Sequence, residues 1–159
     1  VRITLILQIV EPASGRILAV RKSAKSITLA GYEHFIRAAC DPAGRPPLIN
    51  TLGIGWGPGS TTPFDENQTS LQGSNTSLKL AGWTYDPATN RRSCTFSASW
   101  GVGEPVAQLI LIGELGLFRS DGVMVDRTPI TPTPKYAQHA ALVHAVLDLA
   151  QSETAFTFS

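Results

Sequence analysis

Apolar and polar side chains alternate along much of this 159-residue chain with the two-residue period of extended strands. In residues 1–10, Ile3, Leu5, Leu7 and Ile9 share one parity, opposite Arg2, Thr4, Ile6 and Gln8, which predicts a half-buried strand. Turn residues 11–15 lead to a second strand over 16–21. A short apolar strand over 48–54 runs into a glycine-rich turn, and the polar stretch 64–75 reads as a loop. Three strand-like runs follow at 77–85, 92–100 and 106–112. In the second of them Cys94, Phe96, Ala98 and Trp100 oppose Ser93, Thr95, Ser97 and Ser99, the signature of a sheet with one wet side. Residues 115–125 form a hairpin pattern around Ser120-Asp121-Gly122, and 126–134, with Pro129 and Pro132, reads as an edge strand or extended loop.

Two segments depart from this period. Residues 26–40 are the compelling helix candidate, with Tyr32, Phe35, Ile36, Ala39 and Cys40 as its expected buried face. The prolines of 41–47 end it. Residues 135–150 fit a helix by their alanines and leucines, yet Val143, Ala145, Leu147 and Leu149 would also line one face of a strand. The tail at 151–159 closes on a strand-like alternation from Thr154 to Ser159. With no internal repeat, linker or shift in composition, residues 1–159 read as a single, mostly β domain carrying one short helix at about residues 28–40.

Composition narrows the function classes. Apolar residues make up 43% and charged residues 16%, against about 25% charged in ordinary soluble proteins. Thirteen basic and twelve acidic side chains leave a formal charge of +1, which argues against a nucleic-acid-binding stripe and an acidic tail. No apolar run approaches the roughly 18–20 residues a bilayer span needs, so no membrane partner is expected. The N-terminal run lacks a charged leader and an Ala-x-Ala site and does not read as a signal peptide; the opening Val1 fits removal of an initiator residue or a maturation cut. Cys40 and Cys94, far apart and outside any CxxC, read as two reduced, partly buried thiols rather than a bridge.

Candidate chemistry is thin. His34, His139 and His144 stand at no metal-ligand spacing and read as solvated or edge histidines. The glycine run from Gly53 to Gly59 lacks the Lys of a phosphate loop, and Pro58 removes a backbone donor such a cradle needs, so it reads as a structural turn. Glu114, set among apolar residues, reads as a paired or turn-capping carboxylate ahead of a catalytic one. No G-x-S-x-G elbow is present. An enzyme would require a pocket where Glu114, Asp126 or a histidine converge. Trp56, Trp83 and Trp100 could build a stacking platform, although core or interface packing is the ordinary role of each. The sequons at Asn67 and Asn75 carry meaning only in a secreted eukaryotic context that nothing else supports. No catalytic set, cofactor or metal site is therefore expected.

Two motifs in order resemble a family of small bacteriophage virion proteins. The first runs from Ile49 through Gly55-Trp56-Gly57-Pro58-Gly59-Ser60-Thr61-Thr62-Pro63 to Gln68-Thr-Ser-Leu71. It is similar to a strand ending in Gly-Thr-Gly-Thr-Thr-x-Pro with an Asp-Thr-x-Leu after it. The second is Leu111-Ile-Gly-Glu114-Leu-Gly116-Leu117-Phe118, followed by Gly122 and Arg127-Thr128. It resembles a Glu-x-Gly-Leu-Phe segment, a Gly-centred hairpin and an Arg at the end of the next strand. The likeness spans residues 27–149. It departs in the enlarged glycine turn, in Gln68 where an acid is usual, and in the missing Glu or Arg after Leu71.

The resemblance implies an antiparallel β-sandwich and a strand over 140–149. Glu114 would hold a neighbouring backbone or Arg127, and Leu117 and Phe118 would anchor the core. It also implies a non-enzymatic structural protein of a tailed-phage virion, made in the bacterial cytoplasm. A decoration or cement protein on the capsid leads, and a tail, collar or fibre-base component is the alternative. Its partners would be further copies of itself, such as in a trimer, and the major capsid protein or other virion proteins. Residues 1–10 are expected to form an N-terminal arm or edge strand, with Ile3, Leu5, Leu7, Ile9 and Trp56 as assembly contacts. A carbohydrate-binding β-sandwich, with Trp56 and Trp83 exposed on one face, is the competing class.

Overall fold

The computed structural model describes residues 1–24 and 26–149. In chain order its elements are β1 (Arg2–Glu11), β2 (Arg16–Ala24), α1 (Leu29–Cys40), β3 (Ile49–Trp56), β4 (Asn75–Leu80), β5 (Gly82–Thr84), β6 (Ser93–Trp100), β7 (Ile110–Arg119), β8 (Met124–Lys135) and β9 (Ala140–Asp148). They form an all-β sandwich of two antiparallel sheets, ordered β2-β1-β9-β6-β5 and β4-β3-β7-β8. Between the sheets, Leu5, Leu7, Trp100 and Val143 from the first meet Leu52, Ile54, Leu115 and Leu117 from the second, all fully buried. Complete burial of such a side chain contributes about 1.5–3 kcal/mol before entropy is counted.

The N-terminal strand is neither an arm nor an edge. β1 is hydrogen-bonded on both sides, to β2 and to β9, and Ile3, Leu5, Leu7 and Ile9 lie inside the core instead of on an assembly surface. Alternation reports which face of a strand is covered but not how many strands flank it.

Within the ambiguous segment 135–150, Ala140–Asp148 form β9, paired with β1 and β6. Two ladders of tertiary hydrogen bonds outweigh a helix preference of a few tenths of a kcal/mol per residue. The expected strand 77–85 divides at Ala81, whose N–H bonds to the Asn50 carbonyl (2.7 Å), leaving β4 in one sheet and β5 in the other. The expected strand 106–112 begins only at Ile110 and continues through a bulge near Gly113 to Arg119, so what looked like a break is one long strand. The Asp121-Gly122 hairpin joins β7 to β8 as its sequence predicts, with Gly122 at φ +89°. β8 is an edge strand, which suits Pro129, Pro132 and Pro134, and Ser26–Thr28 lies against part of its free side through Thr28 N–H to Val125 O (3.0 Å) and Arg127 N–H to Ser26 O (3.1 Å).

The helix is where expected, but another face is buried. Thr28 caps it by accepting from the Gly31 N–H at 3.0 Å, while its own hydroxyl donates to the Met124 carbonyl at 2.8 Å. Gly31 and His34 point inward and Phe35 is half-buried, whereas Tyr32, Ile36, Ala39 and Cys40 are exposed. Gly31 decides the orientation: a Cβ there would collide with the Val125 carbonyl oxygen, so its bare backbone lets the helix lie close on β8. A hydrophobicity pattern scores glycine as blank and so selects the wrong face.

Gly31→Ala should therefore lower the melting temperature, although the same change in an open helix gains about 1 kcal/mol. Ile36→Ala, on the exposed face, should stay within about 0.5 kcal/mol of the parent in thermal denaturation.

Candidate functional site

Beyond β3 the chain turns at Gly57 (φ +82°) and Gly59 (φ +89°), a backbone conformation that residues with side chains rarely adopt. The loop 57–74 then returns over the outer face of β3, β7 and β8. Leu71 and the Phe118 ring press on Gly53 and Gly116, where a Cβ would meet them within 3.3 Å. Gly55, opposite Glu114 in the ladder, leaves room for the Glu114 carboxylate, which would overlap any side chain at that position.

Under this loop lies a fully buried ion pair. Arg127 Nε donates to Glu114 Oε1 at 2.8 Å, and both side chains are 0% exposed. The other guanidinium nitrogens donate to loop acceptors: Nη1 to Thr62 O (2.9 Å) and Gln68 Oε1 (3.1 Å), and Nη2 to Ser60 O (3.2 Å). Glu114 also accepts the backbone N–H groups of Gln72 (2.8 Å) and Gly73 (2.5 Å). Pro63 joins the network through its carbonyl, which accepts from Gln68 Nε2 at 3.2 Å. Gly55, Gly57, Gly59, Thr62, Pro63, Glu114, Gly116, Phe118 and Arg127 thus gather into one cluster, while Leu117 points the other way into the core. Glu114 holds both a backbone and Arg127, and Gln68 takes, as a neutral acceptor, the place where an acid was expected. The Glu114 and Arg127 charges are spent on each other and on the loop backbone, and both side chains are shielded from solvent.

Asp126 follows the opposite logic. It faces the core side of β8, is fully buried, and its Oδ2 has no hydrogen-bond partner. Desolvation pushes its carboxyl up to about 7, and the Thr128 hydroxyl only partly opposes this. His34 is likewise buried, contrary to the solvated or edge setting expected of the histidines; desolvation lowers its pKa, and Nδ1 is unpaired. His144 Nδ1 lies 2.7 Å from Ser97 Oγ, and His139 packs edge-on to Tyr136. Among the described residues no three His, Cys, Asp or Glu side chains are grouped to hold a metal ion. Both cysteines are free, Cys40 exposed and Cys94 half-buried.

The concave surface lies elsewhere. A cavity of about 580 Å³ opens between the C-terminal half of α1, the entry to β3 and the first sheet, lined by Phe35, Leu48, Ile49, Trp83, Phe96 and Leu147, with Arg45 as its charged group. A smaller one of about 240 Å³ adjoins it, sharing Trp83 and Leu147 and adding Tyr85, Arg91 and Arg92. Pattern reading missed both because their walls come from five separate segments; the one local signal was the apolar Leu48 directly after two prolines. The tryptophans do not form one platform. Trp100 is buried and donates to Ser77 Oγ at 2.9 Å, Trp56 packs half-buried at the end of β3, and Trp83 lies near that strand's start. Seven residues of strand separate those two ends of β3, about 23 Å.

Arg127→Ala should destabilise the fold by about 3–5 kcal/mol, because it strands a buried carboxylate. Arg127→Lys should recover less than half of that, since one ammonium cannot reproduce the fork of donors. Denaturant titration measures both, and chymotrypsin should cut the variants first near Phe64 or Leu71.

The Asp126 carboxyl titrates higher in the folded chain than in the unfolded one, so its contribution is fully present below about pH 4 and is lost as pH rises through about 7. Three pH units correspond to on the order of 4 kcal/mol. Asp126→Asn should remove this fall, leaving the variant more stable than the parent at pH 8 but not at pH 4 in paired melts.

No protein family, characterised protein or solved structure matches this chain in comparisons of sequence and fold.

Proposed function

We propose that this chain is a non-enzymatic structural protein of a tailed-bacteriophage virion, a decoration protein that cements the head by bridging neighbouring subunits. One observation carries the reading. The acid and base best placed for chemistry, Glu114 and Arg127, are sealed inside and clamp a loop, while large apolar side chains stay in solvent. Leu48 is 77%, Leu80 76% and Trp83 60% exposed. These three group around the start of β3: Leu80 pairs with Thr51, and Trp83 shares the larger cavity with Leu48. Large apolar side chains left in solvent suit burial against another protein. The likeness of the Gly-rich turn and of the Glu114–Phe118 segment to virion proteins supplies the setting. Contacts of this class stabilise a particle by mass action, since the ligand binds the assembled shell and not its dissociated parts. Further copies of the chain and the major capsid protein are the partners this reading names; a place in the tail, collar or fibre base would use the same patch on a different neighbour.

The stacked Trp83–Tyr85 pair, with ring centroids 5.7 Å apart, favours a second reading as a carbohydrate-binding module. Its platform would be this pair, without Trp56.

Sedimentation with empty phage shells separates the two. The virion reading expects the chain to pellet with shells, and Leu48→Asp with Leu80→Asp to reduce that at least tenfold while the melting temperature stays unchanged. A monomer indifferent to shells, which binds a glycan and loses it on Trp83→Ala, would establish the other.

A further inference from the structure

Strand β5 ends the first sheet: β6 pairs with one side of it, and among the described residues no strand pairs with the other. Two of the other sheet edges are protected against added strands. β8 carries prolines and is partly covered by Ser26–Thr28, and β2 carries Arg16, Arg21 and Lys22. Gly82, Trp83 and Thr84 bring neither a charge nor a proline to the edge of β5. Trp83, opposite the core residue Phe96, faces the inner side of its sheet and lines both cavities. A strand added about 4.8 Å beyond β5 would turn the residue beside Trp83 toward the same apolar space, which Phe96 and Leu147 also line. The charges select the kind of segment. Arg45, Arg91 and Arg92 are exposed at the two cavities, and no described Asp or Glu lines either. An acidic segment is attracted there and a basic one repelled. A second copy is disfavoured on that ground, because β2, the long edge strand it could offer, is basic.

We propose that β5 accepts an extended acidic segment of another protein as a further strand, with one large apolar side chain seated in the cavity beside Trp83 and Asp or Glu residues set against Arg45, Arg91 and Arg92. Trp83 stays in solvent in the free chain and is covered only when the segment docks. That the partner is a capsid or other virion protein rests on the reading above; the strand addition itself does not.

Isothermal titration calorimetry of the full chain with the acetylated peptide Asp-Thr-Thr-Phe-Thr-Thr-Asp is the direct test. Binding should weaken at least tenfold when Lys replaces both Asp residues of the peptide, when Ala replaces its Phe, or when Arg45→Glu, Arg91→Glu and Arg92→Glu are combined in the chain. N-methylation of alternate peptide nitrogens should abolish binding in one parity and spare it in the other, since only one set of N–H groups faces β5. No binding of the parent peptide, indifference to its charge, or equal binding of both methylated forms would each overturn the proposal. Dimerisation in sedimentation equilibrium that the triple variant abolishes would overturn it too, by making a second copy the occupant. With empty phage shells the triple variant should pellet at least tenfold less than the parent at an unchanged melting temperature, and equal pelleting counts against the arginines. A parent chain that binds the peptide but ignores shells would end the virion reading and leave the strand addition standing.

Discussion

The architecture depends on one buried charge pair. Taking a guanidinium and a carboxylate out of water costs several kcal/mol per ion, and their mutual attraction offsets this only when the remaining donors and acceptors are also satisfied. Here they are: Arg127 donates to Glu114, Thr62, Gln68 and Ser60, and Glu114 accepts from Gln72 and Gly73 as well. Those contacts fasten the loop 57–74 to the outside of the second sheet. The loop in turn seals that face, which is why β7 is buried on both sides from Ile112 to Phe118 and shows no alternation. The glycines of β3 and β7 belong to the same constraint, because side chains there would lift the loop and flood the ion pair.

Polar groups placed so deep leave the surface to play the other part. Leu48, Leu80 and Trp83 are exposed to solvent, and Leu48 and Trp83 line the apolar cavity near the start of β3. Helix α1 helps to form that cavity through Phe35 because Gly31 turns its bare side to β8. Asp126 is the exception, a buried carboxyl with one oxygen unpaired, whose raised pKa makes stability fall between about pH 4 and 7.

Much of this was legible in the residues themselves. Period-two patterning located most strands, Asp121-Gly122 marked the hairpin, the prolines of 126–134 marked an edge, and the prolines after Cys40 marked the end of the helix. Glu114 stood out because a lone acid in an apolar strand must find partners, and Arg127 was already among the candidates. These are local signals, carried by backbone preference and by the cost of burying an unpaired charge.

Neighbours were beyond that reach. Whether Ile3 and Leu5 face a core or a partner, whether 140–148 coils or extends, and whether Ser77–Tyr85 is one strand or two each depend on residues far away in the chain. Tertiary packing decided them, through ladders on both sides of β1 and β9 and a sheet change at Ala81. The helix face and the cavity belong to the same class, since a glycine's value lies in what approaches it and a cavity exists only between segments. Sequence by itself determined most of the strands, the hairpin, the helix and a charge that had to be satisfied; the fold determined which surfaces met, because side-chain alternation specifies a covered face but not what covers it.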